Sequence, residues 1–349
     1  MNKPPENVHS LDPLKLEEVA CPLCKTDSAH FLFNSHDRLY GIPGTFRQVQ
    51  CDSCGLIFMN PRPVESDLSR CYPPPYFSHK EISKEPVVRF KHRIRDWVLR
   101  TYYGYPCRQA SLRRGRAMRI LGFPLYLLFR ADRRNALVMP YQGKGRFLDA
   151  GCGSGRMLRF MAGLGWDVAG VEMDRALAEK LHGTFGFNVF PGRIENSPFR
   201  DESFDVVLMS HVLEHLPFPA AALDSVHRML ANGGKLYLRL PRGDSFAFRA
   251  FRHRWFGLDA PRHLCVFTSR TVRRLLEECG FHICYIRQDR NSPGLKNSLL
   301  FLRSDNAWFL PVIAGIKPIM ALIRGAVHLA RQGDGMLICA EKQEGRSQG

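Results

Sequence analysis

The sequence predicts an α/β protein built on a mostly parallel sheet, with a small cysteine-rich module in front of it. Three observations predict this fold class. Residues 147–155 read as an apolar strand that ends in an acid and three alternating glycines. Strand-like and helix-like segments then alternate along the chain, as in β–α repeats. Two Cys-x-x-Cys pairs precede this region and predict a separate metal-binding unit.

The composition fits one sizeable core with an appended module. The chain has 349 residues, of which 45% are hydrophobic and 24% are charged, as in soluble globular proteins. The first residues lack the apolar stretch of a signal peptide, which predicts a cytoplasmic location, either free or peripheral at the inner membrane face. Disulfides are rare in that compartment, so the eleven cysteines are expected to be thiols or metal ligands.

Residues 1–80 are predicted to form a zinc-binding module followed by a proline-rich linker. Two Cys-x-x-Cys pairs, separated by 26 residues, supply four thiolates: Cys21, Cys24, Cys51 and Cys54. Four sulfur ligands close a tetrahedral shell and leave no open position, which predicts structural Zn²⁺ and not a catalytic metal. The segment between the pairs is long enough for a β-hairpin, and His30 and His36 are predicted to be exposed loop residues within it.

Residues 81–140 are predicted to form a basic helical segment. The net charge of the chain is +17, and residues 86–140 hold thirteen Arg or Lys against two Asp. Such a segment attracts an anionic membrane surface, nucleic acid or a phosphorylated substrate, although a solvated helical face is an equally good explanation. Apolar runs at 120–129 and 308–323 are too short or too interrupted to span a bilayer. Core packing is the preferred interpretation of both runs, with an interfacial helix as the alternative.

The glycine-rich turn predicts a nucleotide-like ligand. Asp149 precedes Gly151, Gly153 and Gly155, and a helical pattern begins at Arg156. Glycines allow a ligand to approach the backbone closely at a helix start. The glycine spacing differs from the dinucleotide fingerprint, and an acid beside the turn would repel a pyrophosphate but suits a ligand that carries an ammonium group.

The following segments predict further strands in a regular order. Residues 166–171 form a strand that ends at Glu172, which comes 21 positions after Gly151, near the spacing used to hold a ribose diol. Met173 follows and is placed to pack on an adenine ring. Residues 188–190, 204–209, 235–240 and 335–340 are predicted as the remaining strands, and helical stripes lie at 223–230 and 272–279.

The Asp-x-Gly-x-Gly-x-Gly run and the Phe-Asp-Val-Val-x-x-x-His-Val-Leu-Glu-His run at 204–215 resemble two motifs of class I S-adenosylmethionine-dependent methyltransferases. With the cysteine pairs and a Trp-x-Gly-Leu-Asp-x-Pro-Arg-His-Leu segment at 255–264, the whole chain resembles a bacterial methyltransferase family with an N-terminal zinc-binding module. The resemblance implies a Rossmann-like core at 141–290, with a seven-stranded, mostly parallel sheet and an antiparallel last strand at its edge. Residues 291–349 would supply an apolar helical segment and that last strand.

The resemblance also implies roles for individual residues. Asp149 and the glycines would line the methionine part of S-adenosylmethionine, Glu172 would bind the ribose hydroxyls, and Ser210 or His211 would form the floor near the sulfonium. Family members commonly place an acid after the glycine of the third β–α turn, where this chain has Arg193 and Ile194. Adenine contacts there are expected from backbone groups around Ile194 or from Glu195.

Methyl transfer to a hydroxyl requires a group that removes the acceptor's proton, and histidine suits this role. His211 and His263 are the predicted catalytic residues, and Trp255, Asp259 and Arg262 are candidates on the substrate side. The predicted activity is methylation of a hydroxyl on a saccharide, a lipid-linked glycan or another small molecule. The alternatives are an RNA methyltransferase that binds phosphates through the zinc module and basic segment, and a binding protein without turnover.

Overall fold

A computed structural model describes residues 12–73, 92–106, 116–131, 138–289, 292–302 and 316–343. The N-terminal region contains five short strands, in order β1 Leu16–Glu17, β2 Ala29–Ser35, β3 Phe46–Cys51, β4 Ile57–Met59 and β5 Arg62–Pro63. A 3-10 helix at Glu65–Cys71 ends this region. Three helices follow, α1 His92–Tyr102, α2 Arg116–Leu121 and α3 Phe123–Ala131.

The remaining elements build the α/β core. The first half contains β6 Arg146–Ala150, α4 Arg156–Ala162, β7 Asp167–Glu172, α5 Arg175–Phe185, β8 Asn188–Pro191, β9 Phe204–Ser210, α6 Pro219–Met229 and β10 Leu230–Pro241. The second half contains α7 Phe246–Phe251, β11 Cys265–Val266, α8 Ser269–Glu278, β12 Phe281–Gln288, α9 Gly294–Phe301, α10 Lys317–Leu329 and β13 Gly335–Lys342.

The seven-stranded sheet confirms the predicted fold class. Its order is β12-β13-β10-β9-β6-β7-β8. Strands β10, β9, β6, β7 and β8 are mutually parallel, whereas β13 runs antiparallel to β10 and to β12. The prediction that the antiparallel last strand forms the edge of the sheet is wrong, because β13 is inserted between β12 and β10. Strand β12 is the edge on that side.

The register of the parallel strands assembles one polar edge. Asp149 of β6 lies opposite Gly170 of β7 and Leu208 of β9. Glu172 and Ser210 end β7 and β9 in the same direction. Because carboxyl ends of parallel strands meet at one edge, these side chains are collected where α/β folds bind ligands.

Local sequence explains the helix boundaries around this edge. The side chain of Asp174 accepts a hydrogen bond from the backbone N–H of Leu177 and caps α5. Thr268 and Thr271 form a reciprocal capping box at the start of α8. The predicted helical stripe at 223–230 is one residue too long, because Leu230 already begins β10.

The N-terminal region packs as part of the same body. Strands β2, β3 and β4 form an antiparallel sheet, which confirms the predicted hairpin between the cysteine pairs. Strand β11, from the segment at 255–268, pairs with β4 and completes this sheet. Leu56 and Phe58 belong to the same buried cluster as Met209 of the large sheet and Leu213, which follows that strand. A strand from the far end of the sequence therefore joins the module to the core.

Helices α2 and α3 carry the apolar run that was expected to pack in the core. Tyr126 stacks on Tyr102 of α1 with ring centroids 4.5 Å apart, and Phe129 is buried. However, Ile120, Leu121 and Leu128 are 74%, 79% and 67% exposed. Core packing therefore accounts for only part of this run. Of the second predicted apolar run, residues 308–315 lie outside the described residues, and residues 317–323 lie in α10.

Within the described ranges, the helices are all too short or too polar to cross a bilayer.

Candidate active site

The glycine turn after β6 is held in conformations that require glycine. Gly151 and Gly155 have φ angles of +80° and +68°. A Cβ atom on Gly151 would lie 2.5 Å from Cγ2 of Val212, and one on Gly155 would lie 2.4 Å from Cδ2 of Leu181. Both positions would therefore be strained and crowded by any side chain. Gly153, between them, has a φ angle of +50°.

Two carboxylates flank this turn. Glu172 Oε2 accepts a hydrogen bond from the backbone N–H of Gly153 at 2.7 Å, and Oε1 accepts one from the backbone N–H of Asp174 at 3.1 Å. Asp149 is buried. Burial and the neighbouring charge of Glu172 raise the pKa of Asp149 well above its usual value. A cation bound beside Asp149 would restore its ionised form.

The residues around the turn fit S-adenosylmethionine. Because the three glycines of the turn carry no side chains, a ligand can approach the backbone there. The two acids, Asp149 and Glu172, complement a cationic ligand. Glu172 ends β7 beside the turn, and a carboxylate is the type of acceptor that binds the hydroxyls of a ribose diol. Met173 is 68% exposed beside it and so offers its side chain to a planar ring.

In the third β–α turn, Gly192 is followed by Arg193 and Ile194 and not by the acid that is common in the family. Ile194 is buried, and Arg193 forms ion pairs with Glu195 and Glu65. Glu195 Oε2 is buried and has no hydrogen-bond partner among the described residues. This oxygen is therefore the candidate acceptor for an adenine amine, which keeps Glu195 in the predicted set.

The end of β9 places His211 at the mouth of the site. Ser210 is half-buried, and His211 follows it with a φ angle of +58°. A left-handed histidine is uncommon, and such conformations cluster at functional sites. The His211 side chain is 40% exposed, and its Nδ1 lies 3.1 Å from Oε1 of the buried Glu214. Burial opposes ionisation of Glu214, but the hydrogen bond from His211 and the nearby histidines lower its pKa.

His263, the second predicted catalytic residue, is enclosed. It is 7% exposed, and its Nδ1 lies 2.8 Å from the carbonyl oxygen of Gly257. Its Nε2 is 3.9 Å from Glu214 Oε1. The structure thus brings both predicted histidines to the same carboxylate, with only His211 open to solvent. A direct proton-transfer role of either histidine remains a prediction.

Sequence reasoning missed one partner of this cluster, Tyr72. The hydroxyl of Tyr72 lies 2.9 Å from Nδ1 of His215, although the sequence offers no signal linking residue 72 to residue 215. Burial, followed by the charge of His263, lowers the pKa of His215 to about 4, so this imidazole is neutral.

Arg262, expected on the substrate side, is instead a buried structural residue. Its side chain is 0% exposed, and Nη1 and Nη2 donate to the two carboxylate oxygens of Asp37 at 3.0 and 2.7 Å. Nη2 also donates to Asp259 Oδ1 at 2.7 Å. Trp255 is buried against Phe248, with ring centroids 5.3 Å apart. The prediction that Arg262 contacts the substrate is therefore wrong, because its guanidinium joins the N-terminal region to the segment at 255–268.

The four predicted zinc ligands converge. Cys21 Sγ lies 3.5 Å from Cys54 Sγ, and Cys24 Sγ lies 3.4 Å from Cys51 Sγ. All four sulfurs lie within 4.8 Å of one another. Sulfurs on a tetrahedral zinc ion, about 2.3 Å from the metal, are separated by roughly 3.8 Å, so this arrangement fits the ion. Burial raises the pKa of the Cys21 thiol to about 11, so a cation is needed to hold it as a thiolate.

Part of the chain is similar to a known protein family. A family model described as a methyltransferase domain matches residues 120–285. These residues form a methyltransferase domain. The match agrees with the predicted fold class, a Rossmann-like methyltransferase fold with a mostly parallel seven-stranded sheet.

Curated relatives cover parts of the domain. An uncharacterized protein of Methanocaldococcus jannaschii is 31% identical over 139 residues, which are 40% of this chain and 65% of that protein. A ubiquinone biosynthesis O-methyltransferase of Xanthomonas oryzae pv. oryzae is 34% identical over 99 residues, which are 27% of this chain and 41% of that enzyme. The chain thus spans less than two thirds of the length of either relative.

Solved structures of methyltransferases also resemble the chain. An S-adenosylmethionine-dependent methyltransferase from Archaeoglobus fulgidus is 21% identical with a TM-score of 0.41, over 63% of this chain and 99% of that one. One from Mesorhizobium loti is 16% identical with a TM-score of 0.41, over 62% and 97%.

Proposed function

We propose that the protein transfers the methyl group of S-adenosylmethionine to a hydroxyl of a saccharide, a lipid-linked glycan or another small molecule. The proposal is carried by one observation: a solvent-facing His211, backed by the buried carboxylate of Glu214, stands at the same sheet edge as the acid-flanked glycine turn. The O-methyltransferase named among the relatives supports a hydroxyl acceptor.

His211 has the geometry of a general base. Because Nδ1 donates to Glu214, the lone pair is on Nε2, which is the nitrogen left to face an acceptor. S-adenosylmethionine supplies a methyl group activated by a positive sulfur. With an acceptor hydroxyl in line with the donor, His211 would take the hydroxyl proton and Glu214 would stabilise the resulting imidazolium, while the electron pair of the broken methyl–sulfur bond would leave with the neutral thioether.

Alignment is the other contribution of the protein. The glycine turn, Glu172 and Asp149 hold the donor, while His263, from the enclosed segment at 255–264, lies 3.9 Å from Glu214. Holding donor and acceptor in line converts a bimolecular reaction into an effectively unimolecular one.

The test is to replace His211 with Gln and to follow label from a deuteromethyl donor into an extract by mass spectrometry. We expect His211→Gln to lower turnover by about 10²–10⁴-fold, the usual contribution of a general base, with donor affinity unchanged. The matched control is His282→Gln, since His282 is exposed on β12. Full activity of His211→Gln would remove His211 from the mechanism, and label in RNA would favour the RNA alternative.

We also propose that the four cysteines bind structural Zn²⁺. The closed set of four sulfurs supports this role, since it leaves no position for a substrate. Pairing of β11 with β4 links the stability of this module to the loop that carries His263.

A peripheral contact with an anionic membrane is proposed for α2 and α3. Three exposed aliphatic side chains, Ile120, Leu121 and Leu128, lie in the most basic part of the chain. Apolar side chains combined with Lys and Arg favour the interface of an anionic bilayer. A lipid-linked acceptor would be reached from such a surface.

A further inference from the structure

We propose that Glu214, His215 and His263 form a second metal site, separate from the four cysteines, that binds a divalent first-row transition metal. The proposal concerns residues beneath His211 and can be tested without any methyl acceptor. It rests on four features of this cluster, which are its compactness, the anchoring of its imidazoles, an unpaired carboxylate oxygen and its charge.

The three side chains offer ligand atoms that all lie within 4.8 Å of one another. His263 Nε2 is 3.9 Å from Glu214 Oε1 and 3.9 Å from Asp259 Oδ2. These separations are too long for hydrogen bonds. Ligands about 2.1 Å from a common ion are roughly 3 to 4 Å apart, so the same separations suit the edges of a coordination shell.

Both imidazoles are anchored in the way that metal-ligating histidines are. His263 Nδ1 lies 2.8 Å from the carbonyl of Gly257, and His215 Nδ1 lies 3.1 Å from the carbonyl of Arg262. A carbonyl only accepts, so Nδ1 of His263 carries the proton and its Nε2 keeps its lone pair. Nδ1 of His215 faces both the Arg262 carbonyl and the Tyr72 hydroxyl, and a proton on this nitrogen satisfies both as acceptors and leaves Nε2 with its lone pair. A backbone carbonyl that fixes the tautomer is the usual outer partner of a histidine ligand. The two rings lie 4.5 Å apart at 80°.

One carboxylate oxygen of Glu214 has no hydrogen-bond partner among the described residues. Its Oε1 is engaged by His211, whereas Oε2 is buried and unpaired within the described part of the chain. A buried carboxylate oxygen without a partner is costly. A metal ion would satisfy it while leaving the contact to His211 intact.

The enclosed charges also call for a cation. Asp37 and Asp259 pair with one guanidinium, that of Arg262, while the carboxylate of Glu214 faces His263. The formal charges of these three carboxylates and one guanidinium leave two negative charges in excess, which one divalent ion neutralises. Two imidazole nitrogens and a carboxylate suit Zn²⁺, Fe²⁺, Co²⁺ or Mn²⁺ better than Ca²⁺ or Mg²⁺.

The experiment uses the full chain loaded with Co²⁺ and counts metal by mass spectrometry. We expect two equivalents per chain. The Co²⁺ ion at the cysteine site should give an intense thiolate-to-cobalt absorption. The Co²⁺ ion at the Glu214, His215 and His263 site should add only weak d–d bands. Cys24→Ser should disturb the first signal and retain the second.

Glu214→Gln and His263→Gln should each lower the content from two equivalents to one and keep the thiolate band, which also reports an intact N-terminal sheet. The matched control is His182→Gln, because His182 Nδ1 also faces a backbone carbonyl, that of Phe187 at 3.0 Å, but the residue is exposed and outside the cluster. It should keep two equivalents.

A wild-type chain that saturates at one equivalent, all of it bound to thiolates, would overturn the proposal even if the variants do not fold. Retention of two equivalents by both Glu214→Gln and His263→Gln would overturn it as well. Loss of methyl transfer in Glu214→Gln without a change in metal content would support the proposed catalytic role of Glu214 and count against this metal site.

Discussion

The carboxylate of Glu172 is hydrogen-bonded to the backbone N–H of Gly153, with 2.7 Å between Oε2 and N. The acid that ends one strand therefore holds the glycine turn that follows the neighbouring strand. The proposed binding of the donor would therefore be coupled to the geometry of the turn through this one side chain.

Removing this side chain should weaken donor binding. Since a hydrogen bond to a charged group contributes about 1.5–3 kcal/mol, we expect Glu172→Ala to raise the Kd for S-adenosylmethionine by about 10- to 100-fold or more, measured by calorimetry. Glu179→Ala, an exposed acid on α5, is the control and should bind normally. Unchanged affinity of Glu172→Ala would rule out its ribose role.

Donor affinity should rise with pH through ionisation of Asp149. Burial and the charge of Glu172 raise the pKa of Asp149 in the free protein, so the acid is partly neutral where an ordinary aspartate would be charged. A bound cation favours the charged form, so binding releases a proton and strengthens until the free protein is fully ionised. Calorimetry in buffers of different ionisation enthalpy measures that proton. Asp149→Asn should show no such release, and an equal release from the variant would contradict the assignment.

The buried Arg262 should be a main determinant of stability. Removing its guanidinium leaves Asp37 and Asp259 without their partner, and breaking such a buried group costs about 3–5 kcal/mol. We expect Arg262→Met to lower the free energy of unfolding by about this amount in urea titration. Arg274→Met breaks an exposed pair with Glu278 and should leave stability nearly unchanged. Equal effects of the two variants would disprove the structural role of Arg262.

Membrane contact should depend on the exposed side chains of α2 and α3. Burying one large aliphatic side chain contributes about 1.5–3 kcal/mol, so the triple variant Ile120→Ser, Leu121→Ser, Leu128→Ser should bind vesicles containing phosphatidylglycerol at least tenfold more weakly in flotation. Added salt should weaken wild-type binding too. Phe31→Ser, at an exposed position of β2, is the control. A wild-type chain that never floats would refute the contact.

Chelation of zinc should expose four thiols. The cysteine ligands are buried or half-buried, whereas Cys284 is exposed and should react with a thiol reagent before and after chelation. We expect four additional thiols to react and the unfolding midpoint to fall, since β11 loses its neighbour β4. An unchanged thiol count would mean that the cysteines hold no metal.

Local sequence was sufficient for much of this fold. Strand and helix periods, together with the glycines at 151, 153 and 155, predicted the parallel sheet and its polar edge because these signals depend on neighbours in the chain. The paired cysteines predicted their own cluster for a similar reason, since each tight turn brings two sulfurs together.

Contacts between distant residues were not predictable in this way. The sequence by itself determined a nucleotide-binding α/β core, its two flanking acids and a four-cysteine cluster. Only the tertiary structure decided that Arg262 joins Asp37, 225 positions away, that β13 is inserted inside the sheet, and that His215 and His263 meet at Glu214. The physical reason is that a buried charge or strand finds its partner through the packing of the whole chain, and periodicity and spacing describe only the nearest turns.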